Sequence, residues 1–445
     1  MAGGVFSSQN KKQPGIYINV VSDKNYPVSI GDRGIVTICK ALSWGVEGKI
    51  TEILASEDYS AKIGHDNISA EAMFLREIFM GTDHTLPAYK VLLYRPELVG
   101  AAAATGSMGN LTVKARYKGK RGNDIKIAIV STGSDSFLVQ TYVGTVKKDE
   151  QEAAQIKALT ANEWVTFDGT GAIEAIVSLN LTGGVDGEMT AADYASYLAK
   201  IEPYSFDILI YDGKDETIKM AVESFVNRLR STTGRRCQAV VSDYKADTEA
   251  VISVLNGYSL PDGTIIPPEQ ATWWLGGAEA GAKYNESLVY AIHPNAVDSV
   301  PKMTGAAIDA ALDQGQIVFM EEFGKVKVVS DINTLVTHTE EKDDYFSLNQ
   351  VVRIMDTFCN AMYKEFSTNY IGRVQNNGAG RDLLKSWTVG YLNEMQANGG
   401  IQNFVSEDVT ISEGSAINAV VIAVAIQPVG AIEKIYVTVK LTDKE

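Results

Sequence analysis

Cysteine is scarce in this chain of 445 residues: Cys39, Cys237 and Cys359 are widely spaced and odd in number. A disulfide framework needs matched pairs and a structural zinc site needs clustered ligands, so both are excluded and buried free thiols are expected. Histidine is equally thin. His65, His84, His293 and His338 stand apart without a His-x-x-x-His spacing, so neither a metal site nor any cofactor is read from them. Long apolar runs are missing too. The longest, Ala419 to Ile426, falls far short of the roughly 20 residues of a membrane-crossing helix, so no membrane insertion is expected. The start of the chain lacks the charged and apolar stretches of a secretory signal, which leads to the expectation of synthesis in a cytoplasm. Basic excess is also absent. Fifty-five acidic against 40 basic residues give a formal charge of −15, and Lys11-Lys12 and Arg235-Arg236 are too short to attract a phosphate backbone, so nucleic acid is not expected as a partner.

Motifs for catalysis are missing as well. Each Gly-Lys, at Gly48, Gly119, Gly213 and Gly324, is followed by Ile, Arg, Asp or Val, so no phosphate loop exists. Gly169-Thr-Gly171 and Gly378-Ala-Gly380 lack the third glycine of a dinucleotide fingerprint and are read as turns. His65-Asp66 and Asp83-His84 are adjacent residues, expected to point apart and to serve turns, and His293-Pro294 is read as a strand end. Asp212 is the strongest catalytic candidate, because it follows the apolar run Phe206 to Tyr211, where doubly wound folds often place functional carboxylates. No Gly-x-Ser-x-Gly elbow accompanies it, so no catalytic residue is assigned and the chain is not read as an enzyme.

What is present is the composition of several folded domains. The 45% hydrophobic and 21% charged content is that of a globular protein, and the length suggests two to four domains. The first fourteen residues read as a flexible leader, followed by a short strand in Gly15 to Val21 that alternates Ile16, Ile18 and Val20 with Tyr17 and Asn19. Short β segments with Gly, Asn and Asp turns between about 105 and 187, plus one helical stretch near Glu150 to Leu159, predict a β-rich insert. From Phe206 onward, strands alternate with helices, including a helix expected around Thr248 to Leu255, which predicts a doubly wound parallel sheet. Two long helices, Leu348 to Tyr370 and Asp382 to Ala397, come next. The chain closes on Glu433 to Leu441, where Ile435, Val437, Val439 and Leu441 alternate with Lys434, Tyr436, Thr438 and Lys440 as in a half-buried strand. The expected fold class is therefore α/β and β multidomain, with an α+β C-terminal part and extended terminal strands.

Several segments in order then carry a resemblance. Pro14-Gly-Ile-Tyr-Ile-Asn19, Trp44-Gly45, Trp274-Leu-Gly-Gly277, Asp331-Ile-Asn-Thr-Leu335, Val352-Arg-Ile-Met-Asp356, Tyr370-Ile-Gly-Arg373, Gly380-Arg-Asp382 and Val429 to Val439 resemble landmarks of phage tail sheath proteins, including the sheaths of phage-tail-like bacteriocins. The resemblance implies a virion or phage-tail-like particle in which stacked hexameric rings surround a tail tube and contract to drive it through a cell envelope. It also implies a subtilisin-like core without catalysis, and baseplate and tail terminator proteins as further partners. The division it suggests is 1–21 N-terminal arm, 22–104 N-terminal part of the core, 105–187 insert, 188–335 subtilisin-like α/β domain, 336–430 C-terminal domain and 431–445 C-terminal strand arm. Residues expected to exchange strands between subunits are Ile16, Tyr17, Ile18 and Val20 at one end and Ile435, Tyr436, Val437, Val439 and Leu441 at the other. Lys364, Arg373, Arg381 and Lys385 are candidates for facing an acidic tube. The competing readings are another tube, surface-layer or filament subunit, and a cryptic serine hydrolase.

Overall fold

A computed structural model describes residues 3–4, 16–17, 33–133 and 136–442. The chain divides into two units, Met1–Asp32 and Arg33–Glu445. In the first, Gly3–Gly4 and Ile16–Tyr17 form a parallel pair, with Gly3 opposite Ile16 and Gly4 opposite Tyr17. The polar leader expected before Pro14 therefore supplies a strand at Gly3–Gly4.

The second unit is organised by a seven-stranded sheet in the order Gln316–Ile317, Val251–Val254, Gln238–Ser242, Ile208–Ile210, Ile35–Cys39, Lys90–Tyr94, Ile50–Leu54. All neighbours are parallel except the last pair, which is antiparallel. Parallel strands are covered on both faces, and the near-continuous apolar runs of the inner strands follow from that. On one face Val36, Ile38, Ile208, Ile210, Val240 and Ile252 pack against Trp273, Trp274 and Leu275 of the helix Pro268–Gly281. On the other, Leu92, Leu209, Ala239 and Val241 pack against Tyr197 and Ile201 of the helix Ala191–Ile201 and Val222 and Phe225 of the helix Glu216–Arg228. Successive strand residues feed opposite cores, as the two-residue period requires. Helix Pro268–Gly281 sits close because it carries Gly277. A Cβ there would lie 2.1 Å from the Ile78 carbonyl oxygen, so the helix Met73–Ile78 could not approach any larger residue.

Between the third and fourth of these strands in sequence lies a β-sandwich. One sheet runs Val146–Ala153, Phe137–Val143, Ile125–Ser131, Ile176–Asn180, and the other Val165–Gly169, Leu111–Ala115, Thr105–Met108. Its core of Val113, Ile127, Val139 and Val165 includes a side chain from outside, Trp44, stacked on Trp164 at 4.9 Å and edge-on to Tyr117 at 5.2 Å. That shared aromatic joins the sandwich to the loop after the first sheet strand.

Two expected helices are strands. Val251–Val254 is a buried inner strand of the sheet, next to the edge strand Gln316–Ile317, where its β-branched residues fit. The Glu150 to Leu159 stretch is rich in helix formers, yet Val146–Ala153 pairs along Phe137–Val143 and only Ile156–Ala158 makes a 3-10 turn. Cross-strand pairing outweighs local propensity there. Gly378-Ala-Gly380, expected to be a turn, opens the helix Gly378–Ala397 instead. The Asn377 side chain accepts from the Gly380 N–H at 2.9 Å and caps it.

Candidate assembly surfaces and crevices

The C-terminal part is built on two helices, Asn349–Glu365 and Gly378–Ala397, and on the hairpin Val409–Glu413/Val420–Val424. Helix Asn349–Glu365 is fastened to the central sheet by buried charge. The Arg353 guanidinium, wholly buried, donates to Glu279 and to Asp331 Oδ2 at 2.7 Å, while Asn349 donates to Glu279 at 3.1 Å. One turn further on the polarity reverses. Asp356 accepts from Arg230 at 2.5 and 2.9 Å, and Glu249 lies 3.7 Å from Arg230 and 2.8 Å from Lys342. Burial, with Asp331 beside it, pushes the Glu279 carboxyl well above its usual range. Burial works the same way on Asp331, but Arg353 overcomes it and holds that group low. Of the two carboxyls, Glu279 is thus the one pushed toward its neutral form, and Asp331 the one held ionised beside Arg353. Two of the sequence landmarks, Asp331–Leu335 and Val352–Asp356, meet in this network, and Glu279 lies two residues beyond a third, Trp274–Gly277.

The hairpin is a two-stranded sheet, with its ladder running from Val409 opposite Val424 to Glu413 opposite Val420. Two strands alone are marginal, and Val421 is left half exposed. Beside the hairpin a cleft of about 370 Å³ is lined by Phe366, Tyr370, Ile371, Leu384, Val420 and Ile422. Residues 430–442, beyond it, belong to no helix or strand. The half-buried strand expected at Glu433 to Leu441 is thus not formed within one chain. Ile435 is 78% exposed, Tyr436 91%, Val437 77%, Val439 81% and Leu441 99%. Alternation needs a partner ladder to become a buried face, and this chain supplies none to these residues. At the other end, Ile16 and Tyr17 lie in the described strand, while Ile18 and Val20 lie outside the described residues.

The four basic candidates fall around the helix pair. Arg381 and Lys385 are one turn apart on Gly378–Ala397, Lys364 is exposed in the last turn of Asn349–Glu365, and Arg373 is exposed in the connection. Arg381 is already engaged, with Glu413 at 3.0 Å and Asn376 at 3.0 Å.

The catalytic candidates are occupied elsewhere. Asp212 Oδ2 accepts from Lys40 Nζ at 2.5 Å and from Trp273 Nε1 at 2.8 Å, and the Lys40 ammonium also rests 4.9 Å from the Trp273 ring. His293 is buried: its Nδ1 accepts two backbone N–H groups, and its Nε2 donates to Glu77 at 2.9 Å, which also receives the Tyr258 hydroxyl at 2.6 Å. It is a structural histidine rather than a simple strand end. Asp83 and His84, expected to point apart, touch at 3.0 Å, and His84 reaches the Ser287 carbonyl at 3.0 Å, tying two loops together. Cys39 and Cys237 are buried and Cys359 is partly buried, all as free thiols. Among the described residues no helix is long and apolar enough to cross a membrane.

An interior tied by buried ion pairs, with Arg353 Nε and Asp331 Oδ1 among the few buried polar atoms left without a partner, is joined to a C-terminal tail whose apolar side chains are exposed, an arrangement suited to a building block of a larger structural assembly. Sequence comparison gives the family. The phage tail sheath protein β-sandwich domain matches residues 99–186, the central domain 187–334 and the C-terminal domain 341–442. The chain is 39% identical to the sheath tail protein of Desulfitobacterium hafniense, over 95% of this chain and 99% of that one, with a TM-score of 0.84. It is 33% identical to the phage-like element PBSX protein XkdK of Bacillus subtilis, over 99% of this chain and 100% of that one. At 13% identity the fold also matches the helical sheath of the anti-feeding prophage in its contracted state, over 98% and 100% of the two chains with a TM-score of 0.57. The chain belongs to the phage tail sheath protein family, the structural sheath subunits of contractile phage tails and phage-like particles.

Proposed function

We propose that the protein polymerises as stacked hexameric rings around a tail tube and contracts to drive the tube through a cell envelope, with arms exchanged between neighbouring copies. The observation that carries this reading is the exposed, alternating, unpaired tail at Glu433–Leu441 in a chain that also carries a hairpin of only two strands. An added strand gains main-chain hydrogen bonds at a sheet edge while alternate side chains fill pockets, so tail and hairpin are complementary in chemistry. Burying Ile435, Val437, Val439 and Leu441 returns roughly 6 to 12 kcal/mol at about 1.5 to 3 kcal/mol each. Fixing the backbone from Glu433 to Leu441 costs roughly 9 to 18 kcal/mol before its hydrogen bonds are counted. One arm is close to break-even, and stability comes from each copy being held at several points.

On this reading Ile16, Tyr17, Ile18 and Val20 form the second exchanged arm. The chain divides functionally into the arm 1–21, core segments 22–104 and 188–335, the insert 105–187, the C-terminal domain 336–430 and the arm 431–445. The central sheet is the subtilisin-like scaffold, with Asp212 held by Lys40 and Trp273 in place of catalysis. Lys364, Arg373 and Lys385 face the tube protein, Arg381 contributes less because Glu413 neutralises it, and baseplate and terminator proteins close the two ends. Electron microscopy of the concentrated protein tests the assembly: wide hollow cylinders or rings are expected, and a flat lattice or thin filament would assign the chain a different assembly.

A further inference from the structure

Ser43, His65 and Glu71 come together although no sequence motif joins them. Ser43 Oγ lies 3.2 Å from His65 Nε2, and His65 Nδ1 faces Glu71 Oε2 at 3.5 Å. All three line a crevice of about 690 Å³ together with Lys40, Arg121 and Trp273. Its position is meaningful. Lys40 follows the strand Ile35–Cys39, Asp212 follows the neighbouring strand Ile208–Ile210, and the winding of the sheet reverses between these two strands. Open α/β sheets hold ligands outside the carboxyl ends of the strands at that reversal.

We propose that Ser43 is an acylable serine, with His65 as its general base and Glu71 as a positioning residue, and that it reacts with activated acyl or phosphonyl esters entering the crevice. The arrangement is a nucleophile, a base within hydrogen-bond reach, and a carboxylate on the far ring nitrogen. Ser43 Oγ bonds to the acyl carbon as its proton passes to His65 Nε2. The bond to the leaving alkoxide then breaks, the alkoxide takes that proton from His65, and an ester remains on Ser43. Burial, with the Arg121 charge nearby, holds the His65 imidazole below the usual histidine range, so it is free to accept a proton at neutral pH.

The same crevice limits the reaction. Lys40 is committed to Asp212 and Arg121 to the Gly64 carbonyl and Asp124, and the remaining lining cation, Lys120, is largely exposed and 3.9 Å from Asp186, so none is a fixed, desolvated donor for a developing oxyanion. Substrates must therefore bring a good leaving group, and the ester on Ser43 should be long-lived. This chemistry does not depend on the assembly reading.

The test is labelling of the full chain with a fluorophosphonate, read by intact mass and peptide mapping. One adduct per chain on Ser43 is expected, none in Ser43→Ala, and labelling about a hundredfold slower in His65→Gln. Glu71 is largely exposed, so Glu71→Gln should fold normally; it should slow labelling several-fold and move the midpoint of the pH–rate profile downward, which a merely structural carboxylate would not do. With wild-type protein the rate should rise with His65 deprotonation and level off by neutral pH. An unlabelled wild-type chain, an adduct that survives Ser43→Ala, or a rate independent of His65 and pH would overturn the proposal.

Discussion

The central sheet and the C-terminal hairpin solve the same problem in opposite ways. In the sheet, five strands are flanked on both sides, helices cover both faces, and even the carboxylate at the strand reversal is matched by a lysine and an indole. In the hairpin, two strands stand together and an apolar tail beyond them has no ladder. A sheet covered by helices on both faces gives a subunit that folds alone. An open one gives a subunit that is finished only by its neighbours.

The largest effect should come from removing the open element. Deleting residues 431–445, or Met1 to Val21, should abolish stable cylinders in electron micrographs while the core keeps its melting temperature; normal cylinders from either truncation would break the contrast. Next is the joint between the two regions. Arg353→Met leaves Glu279 and Asp331 buried without their cation and should cost about 3 to 5 kcal/mol in denaturant unfolding, since a half-removed buried ion pair is worse than none. A loss under about 1 kcal/mol would show the network to be dispensable.

A smaller effect concerns pH. Glu279 holds its proton in the fold to higher pH than in the unfolded chain, where it titrates near the ordinary range of about 4.3. Its contribution is full below that range and fades as pH rises through the folded value. Glu279→Gln should therefore flatten the fall in stability on the alkaline side of about pH 4.3, and an unchanged slope would place the proton elsewhere. The smallest effect belongs to a single surface charge. Lys385→Glu should leave the fold untouched and weaken assembly on tail tubes by a few-fold; unchanged co-sedimentation with tubes would remove Lys385 from the tube-facing set.

Much of the sheet was legible because buried parallel strands leave continuous apolar runs, as at Ile208–Ile210, and the alternating tail was legible as a strand pattern. What the pattern could not say was whether its partner lay in the same chain. Val251–Val254 was misread because four buried residues carry too little periodicity to separate a strand from a helix. The helix expected near Glu150 to Leu159 is not formed because its first residues, charged and helix-forming, are held in the strand Val146–Ala153 by Phe137–Val143. The segments around Trp274, Asp331 and Arg353 stood out in sequence, but their meeting on one buried guanidinium depends on contacts between residues as distant as Glu279 and Arg353. Ser43, His65 and Glu71 form no sequence motif for the same reason, because only the fold brings Ser43 and Glu71 to the two ring nitrogens of His65.

The unpaired tail also governs how growth begins. Under the proposed arm exchange, a first pair of copies would be joined by strands that scarcely recover the entropy of fixing them, and early oligomers would dissolve as fast as they form. Under the same proposal, a copy arriving at a closed ring would meet several waiting edges at once. Polymerisation should then show a lag, a sharp critical concentration, and abolition of the lag by preformed rings, so that the sheath grows where a template already stands and stays dispersed elsewhere.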